Sequence, residues 1–257
     1  MRTAQQGVSR CPSHGHRNLS IGINVSAGLY PHLMKNAKIV VGLVTAVLLT
    51  AGCGSSDAED SAAQKALPVA VDGPQKDVVP QREAGERLKI TPLPPMDAPF
   101  VEKVEHNLRQ AVLRSARVPG ETSAKCPDGV DEKAGAVSQC IATYEGVDVP
   151  YEVKISESAK EGNSLIFFDT TPKKGLLVAK AVYDSLNESY GSESGRTDAS
   201  KLACEEIPAA KAVPLGKDTG YTCQYWSKFA DEGEPGYATL RLTMGAQGYG
   251  LGFQPVE

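Results

Sequence analysis

Histidine and tryptophan are scarce in this chain, with four of the first and one of the second in 257 residues. The histidines are His14, His16, His32 and His106, and only the last lies beyond residue 33. A Ser-His-Asp or Cys-His arrangement would have to use His106, yet no G-x-S-x-G elbow or free thiol accompanies it. A P-loop, a G-x-G-x-x-G after a strand and an H-E-x-x-H are also missing. The net charge of -4 lacks the clustered Lys and Arg of a nucleic-acid footprint. Six cysteines are present without a single tight C-x-x-C knuckle, which argues against a zinc site. The apolar run Ile39 to Leu49 covers 11 residues, well short of the roughly 20 that span a bilayer. Together these gaps predict a chain that is not a conventional enzyme and carries no cofactor or metal.

What is present begins with an address. Residues 34–52 read as a signal peptide: Lys35 and Lys38 give a positive start, and the apolar run and small residues follow. Thr50-Ala51-Gly52-Cys53 resembles the lipobox of bacterial lipoproteins, with Thr50 standing where that pattern prefers Leu. The resemblance implies a diacylglyceryl group, such as one carrying palmitate, on the Cys53 thiol before the signal is cut. It places the mature chain on the extracytoplasmic side of a cell membrane. Residues 1–33 fit poorly upstream of such a signal, and Met34 is the expected start. Cys11, His14 and His16 within that extension have no second ligand pair at a matching spacing.

From Cys53 to residue 96 the chain is small, acidic and then proline-rich, with Pro68, Pro74, Pro80, Pro92, Pro94 and Pro95 and scattered Val and Leu. This composition predicts a disordered linker. The alternative is a loop packed on the body over some part of 78–96.

Beyond residue 96 the expected fold class is α+β: two tandem helix-plus-antiparallel-sheet units, 97–171 and 172–257. In the first, Asp97 is a candidate N-cap, and Val101, Val104, Leu108, Ala111 and Val112 recur at helical spacing up to Pro119-Gly120. Val137–Tyr144 reads as a strand and Glu145-Gly146 as a turn. Tyr151, Val153 and Ile155 alternate on a second strand, and Leu165–Phe168 makes a third. In the second unit a helix is expected from near Lys173, with Ala179, Val182, Tyr183, Leu186 and Tyr190 on one face and Gly191 as its stop. Strands are expected at Tyr221–Phe229, across a loop Asp231–Gly236 at 237–244, and at Tyr249–Phe253. Two local disulfides, Cys126–Cys140 and Cys204–Cys223, suit an oxidising compartment.

The stretch Cys126 to Ile155 carries a second resemblance. Cys126-Pro127, Gly135 before Cys140, and the strand–turn–strand around Glu145-Gly146 resemble the bacterial family catalogued as domain of unknown function 4333. The match covers about residues 100–170. It implies an envelope location and lends no activity. The second unit lacks Pro after Cys204 and has a longer intercysteine loop, so it reads as a diverged copy. The tandem layout is also similar to that of secreted beta-lactamase-inhibitor proteins.

Strand parity sets Trp226 with Thr222, Gln224 and Lys228, opposite Tyr221, Cys223 and Tyr225. Trp226, Tyr237 and Arg241 are the candidate contact patch, of residue types favoured at interface hot spots. The competing expectation puts Trp226 under a helix as core. Glu205 and Glu206 are adjacent and point to opposite faces, which weakens a carboxylate-pair hydrolase. The expected partners are a membrane, through the lipid, and an extracellular protein or a cell-wall polymer.

Overall fold

The computed structural model describes residues 65–159, 166–231 and 233–256. All belong to one unit running from Asp57 to Glu257. The expected start at Met34, the expected signal peptide, the expected lipidation position Cys53 and Leu165 lie outside the described residues. The architecture is mixed helix and antiparallel sheet, dominated by strands, with two disulfides.

The first half is a helix on a four-stranded sheet. Helix α2 (Phe100–Ala116) buries Val104, Leu108, Val112, Leu113 and Ala116. These recur three to four residues apart and so form one stripe. The stripe packs on β2 (Thr122–Lys125), β3 (Val137–Tyr144), β4 (Val147–Ile155) and β5 (Phe168–Pro172), hydrogen-bonded in that order. Cys140, Ala142, Tyr144, Val149, Tyr151 and Val153 meet it from the sheet. Glu145 and Gly146 both have positive φ, 47° and 78°, as a two-residue hairpin turn of the favoured twist requires.

The second half places α3 (Ala179–Tyr190) on a five-stranded sheet. Its order is β1 (Val69–Val71), β7 (Ala199–Cys204), β9 (Asp218–Asp231), β10 (Glu234–Met244) and β11 (Leu251–Pro255). Val182 and Leu186 of α3 pack with Leu202, Cys204, Cys223, Leu240, Leu242 and Met244. Both disulfides form as expected, and both staple neighbouring strands. Cys204 and Cys223 are register partners on β7 and β9. Cys126 follows β2 directly and faces Cys140 when the β2–β3 register is continued by one residue.

Several sequence expectations are corrected. Residues 69–96 are not a disordered linker. β1 pairs along the edge of β7, the short helix α1 (Ala84–Arg87) follows, and Val71, Val79, Ala84 and Leu88 are buried. The alternative of a packed loop over 78–96 holds and extends back to Val69. The apolar residues here are isolated anchors without a period, and each fully buried Val or Leu contributes roughly 1.5–3 kcal/mol.

The second helix does not start near Lys173. Gly175–Val178 is instead β6, paired with β8 (Ala210–Val213). Leu176 and Val178 of β6 enter the first core while Leu177 enters the second, so the strand is buried on both sides. Two-sided burial erases the alternation by which a strand is read.

Asp97 is not the N-cap of α2; Pro99 holds that position without a side-chain bond. The helix ends at Ala116, with Arg117 left-handed at φ 60°, before Pro119 is reached. The last strand of the first half is Phe168–Pro172, and it carries an edge-on contact of Phe168 with Phe100 at 5.6 Å. The loop Asp231–Gly236 is shorter than expected, since β10 already begins at Glu234. The final strand starts two residues later than expected, at Leu251.

Arg117 explains the early end of α2. Its Nε donates to the Val79 carbonyl at 3.0 Å, and its terminal nitrogens reach Ser185 Oγ at 2.7 Å and Asp184 Oδ2 at 2.9 Å. The Arg117 carbonyl accepts from Val79 N at 2.7 Å, and Asp184 Oδ1 accepts from Gln75 N at 3.1 Å. Arg117 and Asp184 are each 7% exposed. One buried ion pair therefore ties α2, α3 and the segment before α1 together.

Candidate functional site

β9 and β10 form a long hairpin whose two faces have different fates. Tyr221, Cys223 and Tyr225 look toward α3 and the second core, with Leu240 and Leu242 of β10. Thr222, Gln224, Trp226 and Lys228 therefore lie on the outer face, as the period-two geometry of a strand demands. Trp226 is half-buried on that outer face and is not under a helix.

Trp226 and Tyr237 are direct register partners, and their rings meet edge to face at 5.1 Å with an 81° interplanar angle. Such a pair adds roughly 0.5–1.5 kcal/mol beyond its buried area. Lys201 Nζ stands 4.9 Å from the Trp226 ring centroid, a cation–π contact. Lys201 reaches this position from a bulge in β7, where φ is 46° and the register slips between Ser200 and Ala203. Sequence reasoning missed Lys201, because nothing in Ser200-Lys201-Leu202 marks a bulge.

Arg241 shares this face but not the cluster. It lies four residues along β10 from Tyr237, about 13 Å at strand rise. Its Nε meets Asp218 at 3.0 Å, and both side chains are about half exposed. The structure thus joins Trp226 to Tyr237 and leaves Arg241 in a surface ion pair. Gln224, by contrast, was not singled out from sequence. It is 4% exposed on the outer face, and its Nε2 has no hydrogen-bond partner among the described residues.

Searched against protein-family models, the curated proteins and the solved structures, the chain finds no match. Any functional reading must come from the geometry.

A second concavity lies over the first half. A cleft of about 810 Å³ is lined by Arg114 and Ser115 of α2, Tyr151, Glu152 and Lys154 of β4, Asp169 of β5, and Tyr249. It holds two carboxylates, Glu152 and Asp169, but Glu152 Oε2 sits 2.7 Å from Lys173 Nζ. That hydrogen bond and charge hold the Glu152 carboxyl below its ordinary range. A glycosidase acid needs the opposite shift, up toward neutrality. Tyr151 is pushed up to about 12 by burial, so it is no base near pH 7.

The other carboxylates singled out from sequence have structural partners or face solvent. Glu205 Oε2 accepts from Thr222 N at 2.6 Å, beside the Cys204–Cys223 staple, while Glu206 is exposed. His106 lies half-buried against a groove, its pKa lowered by desolvation and then by Arg109. Among the described residues no group of three or more His, Cys, Asp or Glu could hold a metal ion.

Proposed function

We propose that this chain is an envelope lipoprotein, tethered to a membrane through Cys53, whose body is a non-catalytic binding module. The observation that carries the binding role is the Trp226–Tyr237 pair, half-exposed on the sheet face turned away from α3. Large aromatic surface left outside a core is enriched where proteins meet partners. Two disulfides in one body suit the oxidising side of a membrane. The lipobox-like Thr50-Ala51-Gly52-Cys53 supplies the tether.

The segment of about 100–170 belongs, in this reading, to domain of unknown function 4333, and 172–257 is a diverged copy. Strand order supports the kinship. Each half runs helix, then four antiparallel strands in a meander, with a disulfide linking the first two. The copy departs by an insertion: β8 falls between Cys204 and Cys223 and leaves to pair with β6. That excursion accounts for the longer intercysteine separation, 19 against 14.

Two measurements test the proposal. Cys53→Ser should release the protein into the medium, and retention on membranes would defeat the anchor. The lipid-free Cys53→Ser chain should capture a discrete protein from solubilised envelope, and lose that capture when Trp226→Ala is added. Retention by purified wall polymer rather than by envelope protein would instead make it a structural lipoprotein of the wall.

A further inference from the structure

The first half has an open edge with a groove beside it. α2, the free side of β2 and the strap from Lys89 to Pro95 enclose two adjoining hollows of about 640 and 520 Å³. Both are bordered by Ile90, Thr91, Arg109 and Thr122. Thr122, Ser123 and Ala124 all line the larger hollow, and Gly120, Glu121 and Thr122 the smaller. Successive strand residues point to opposite faces, so a hollow reached by three in a row lies along the edge.

The hydrogen bonds say which groups this edge offers. Among the described residues β2 pairs only with β3. Glu145 N donates to the Glu121 carbonyl at 3.0 Å, which makes residues 121 and 145 a hydrogen-bonded pair. Alternation then turns the amides and carbonyls of Thr122 and Ala124 outward, away from β3. The next outward amide, that of Cys126, is already met by Glu105 Oε1 at 3.0 Å. Those of Thr122 and Ala124 meet no partner among the described residues.

Arg109 projects from α2 into both hollows. Its Nε is buried without a hydrogen bond, and among the described residues its guanidinium makes no ion pair. A buried donor left unmet is costly, and a guanidinium fork matches a carboxylate in two parallel bonds. Of the groove's own carboxylates, Glu105 is committed to the Cys126 amide, and Glu102 and Glu121 are exposed, neither paired with Arg109.

We propose that this groove receives an extended, acidic peptide segment of a partner protein as an added strand. Its backbone completes the outward hydrogen bonds of Thr122 and Ala124, and its carboxylate pairs with the Arg109 guanidinium. Strand addition of this kind draws affinity from main-chain bonds and selectivity from side-chain pockets. The site is separate from the Trp226–Tyr237 face and does not rest on that reading.

The probe is an array of eight-residue peptides of alternating Val and Thr, with one Glu moved through the positions, beside the same set with Gln. Whole chain should bind Glu peptides at least ten-fold tighter than their Gln counterparts. Arg109→Gln should erase that preference, and Arg109→Lys should restore it only partly. Ala124→Pro removes one outward amide without touching the ladder to β3, and should abolish binding at an unchanged melting temperature. Trp226→Ala should leave peptide binding as it was. Equal binding of Glu and Gln peptides, or no binding of either at millimolar concentration, overturns the proposal. So does sedimentation as a dimer that Ala124→Pro dissolves, which would give the edge to a second copy.

Discussion

The two halves share a frame and differ in what they show to solvent. In each, a helix covers one face of an antiparallel meander, and a disulfide joins its first two strands. The outer face of the four-stranded sheet carries Gln139, Ile141, Thr143, Asp148 and Glu152, with Thr143 bonded to Asp148 at 2.6 Å. The corresponding face of the five-stranded sheet carries Trp226 in contact with both Tyr237 and Lys201. Core positions are constrained by packing in both halves; outer positions are constrained only by what they meet. The aromatic cluster on one outer face and not the other is the surface that the proposed binding role assigns to the second half. The first half keeps its open strand edge instead.

The comparison breaks most sharply at the point where the halves are tied. Arg117→Ala leaves Asp184 buried without its partner and should cost about 3–5 kcal/mol. Chemical denaturation measures it, and a loss below 1 kcal/mol would show that the halves do not depend on this pair. Next come the staples. Removing Cys126–Cys140 or Cys204–Cys223 should each cost on the order of 3 kcal/mol, slightly more for the longer loop. Melting the Cys→Ser pairs separately checks the ranking, and an unchanged melting point in either would remove that staple from the account.

Binding sharpens the contrast between the faces. In the lipid-free Cys53→Ser chain, Trp226→Ala should weaken capture of the envelope protein by about 2 kcal/mol with little loss of stability, whereas Ile141→Ala on the other sheet should leave capture intact. Alkaline pH separates the cores. Tyr144 and Tyr151, both in the first core, are pushed up to about 12 by burial. The unfolded chain ionises its tyrosines near 10, so the stability that these two supply is whole below pH 10. It is lost as pH rises toward 12. Tyrosinate absorbance should show two groups titrating near 12, absent in Tyr144→Phe/Tyr151→Phe, while Tyr190, also raised by burial, persists in that variant. The smallest effect belongs to Arg241→Ala, below about 1 kcal/mol, because its pair with Asp218 is exposed.

Local signals carried the parts of the fold that were legible in the sequence. The β3–β4 hairpin announces itself through alternation and Glu145-Gly146, α2 through its stripe, and the cysteines through their proximity along the chain. β6 was hidden because a strand buried on both sides has no polar rhythm, and its apolar run merges into the helix that follows. The anchors Val71, Val79 and Leu88 were hidden because each is a single contact inside a proline-rich stretch. Parity placed Trp226 correctly relative to Cys223, but which face a helix covers is decided by packing at a distance. The unmet donors of Arg109 and Gln224 had no signature at all, since a missing partner exists only in three dimensions.

The position of β6 has a consequence for how the molecule comes apart. Leu176 and Val178 plug one apolar interior while Leu177 plugs the other, so pulling this short strand free opens a hole in both at once. Neither interior can melt while its neighbour stays sealed. Unfolding should therefore follow a single sigmoid, and a change confined to one half should shift the midpoint for the whole.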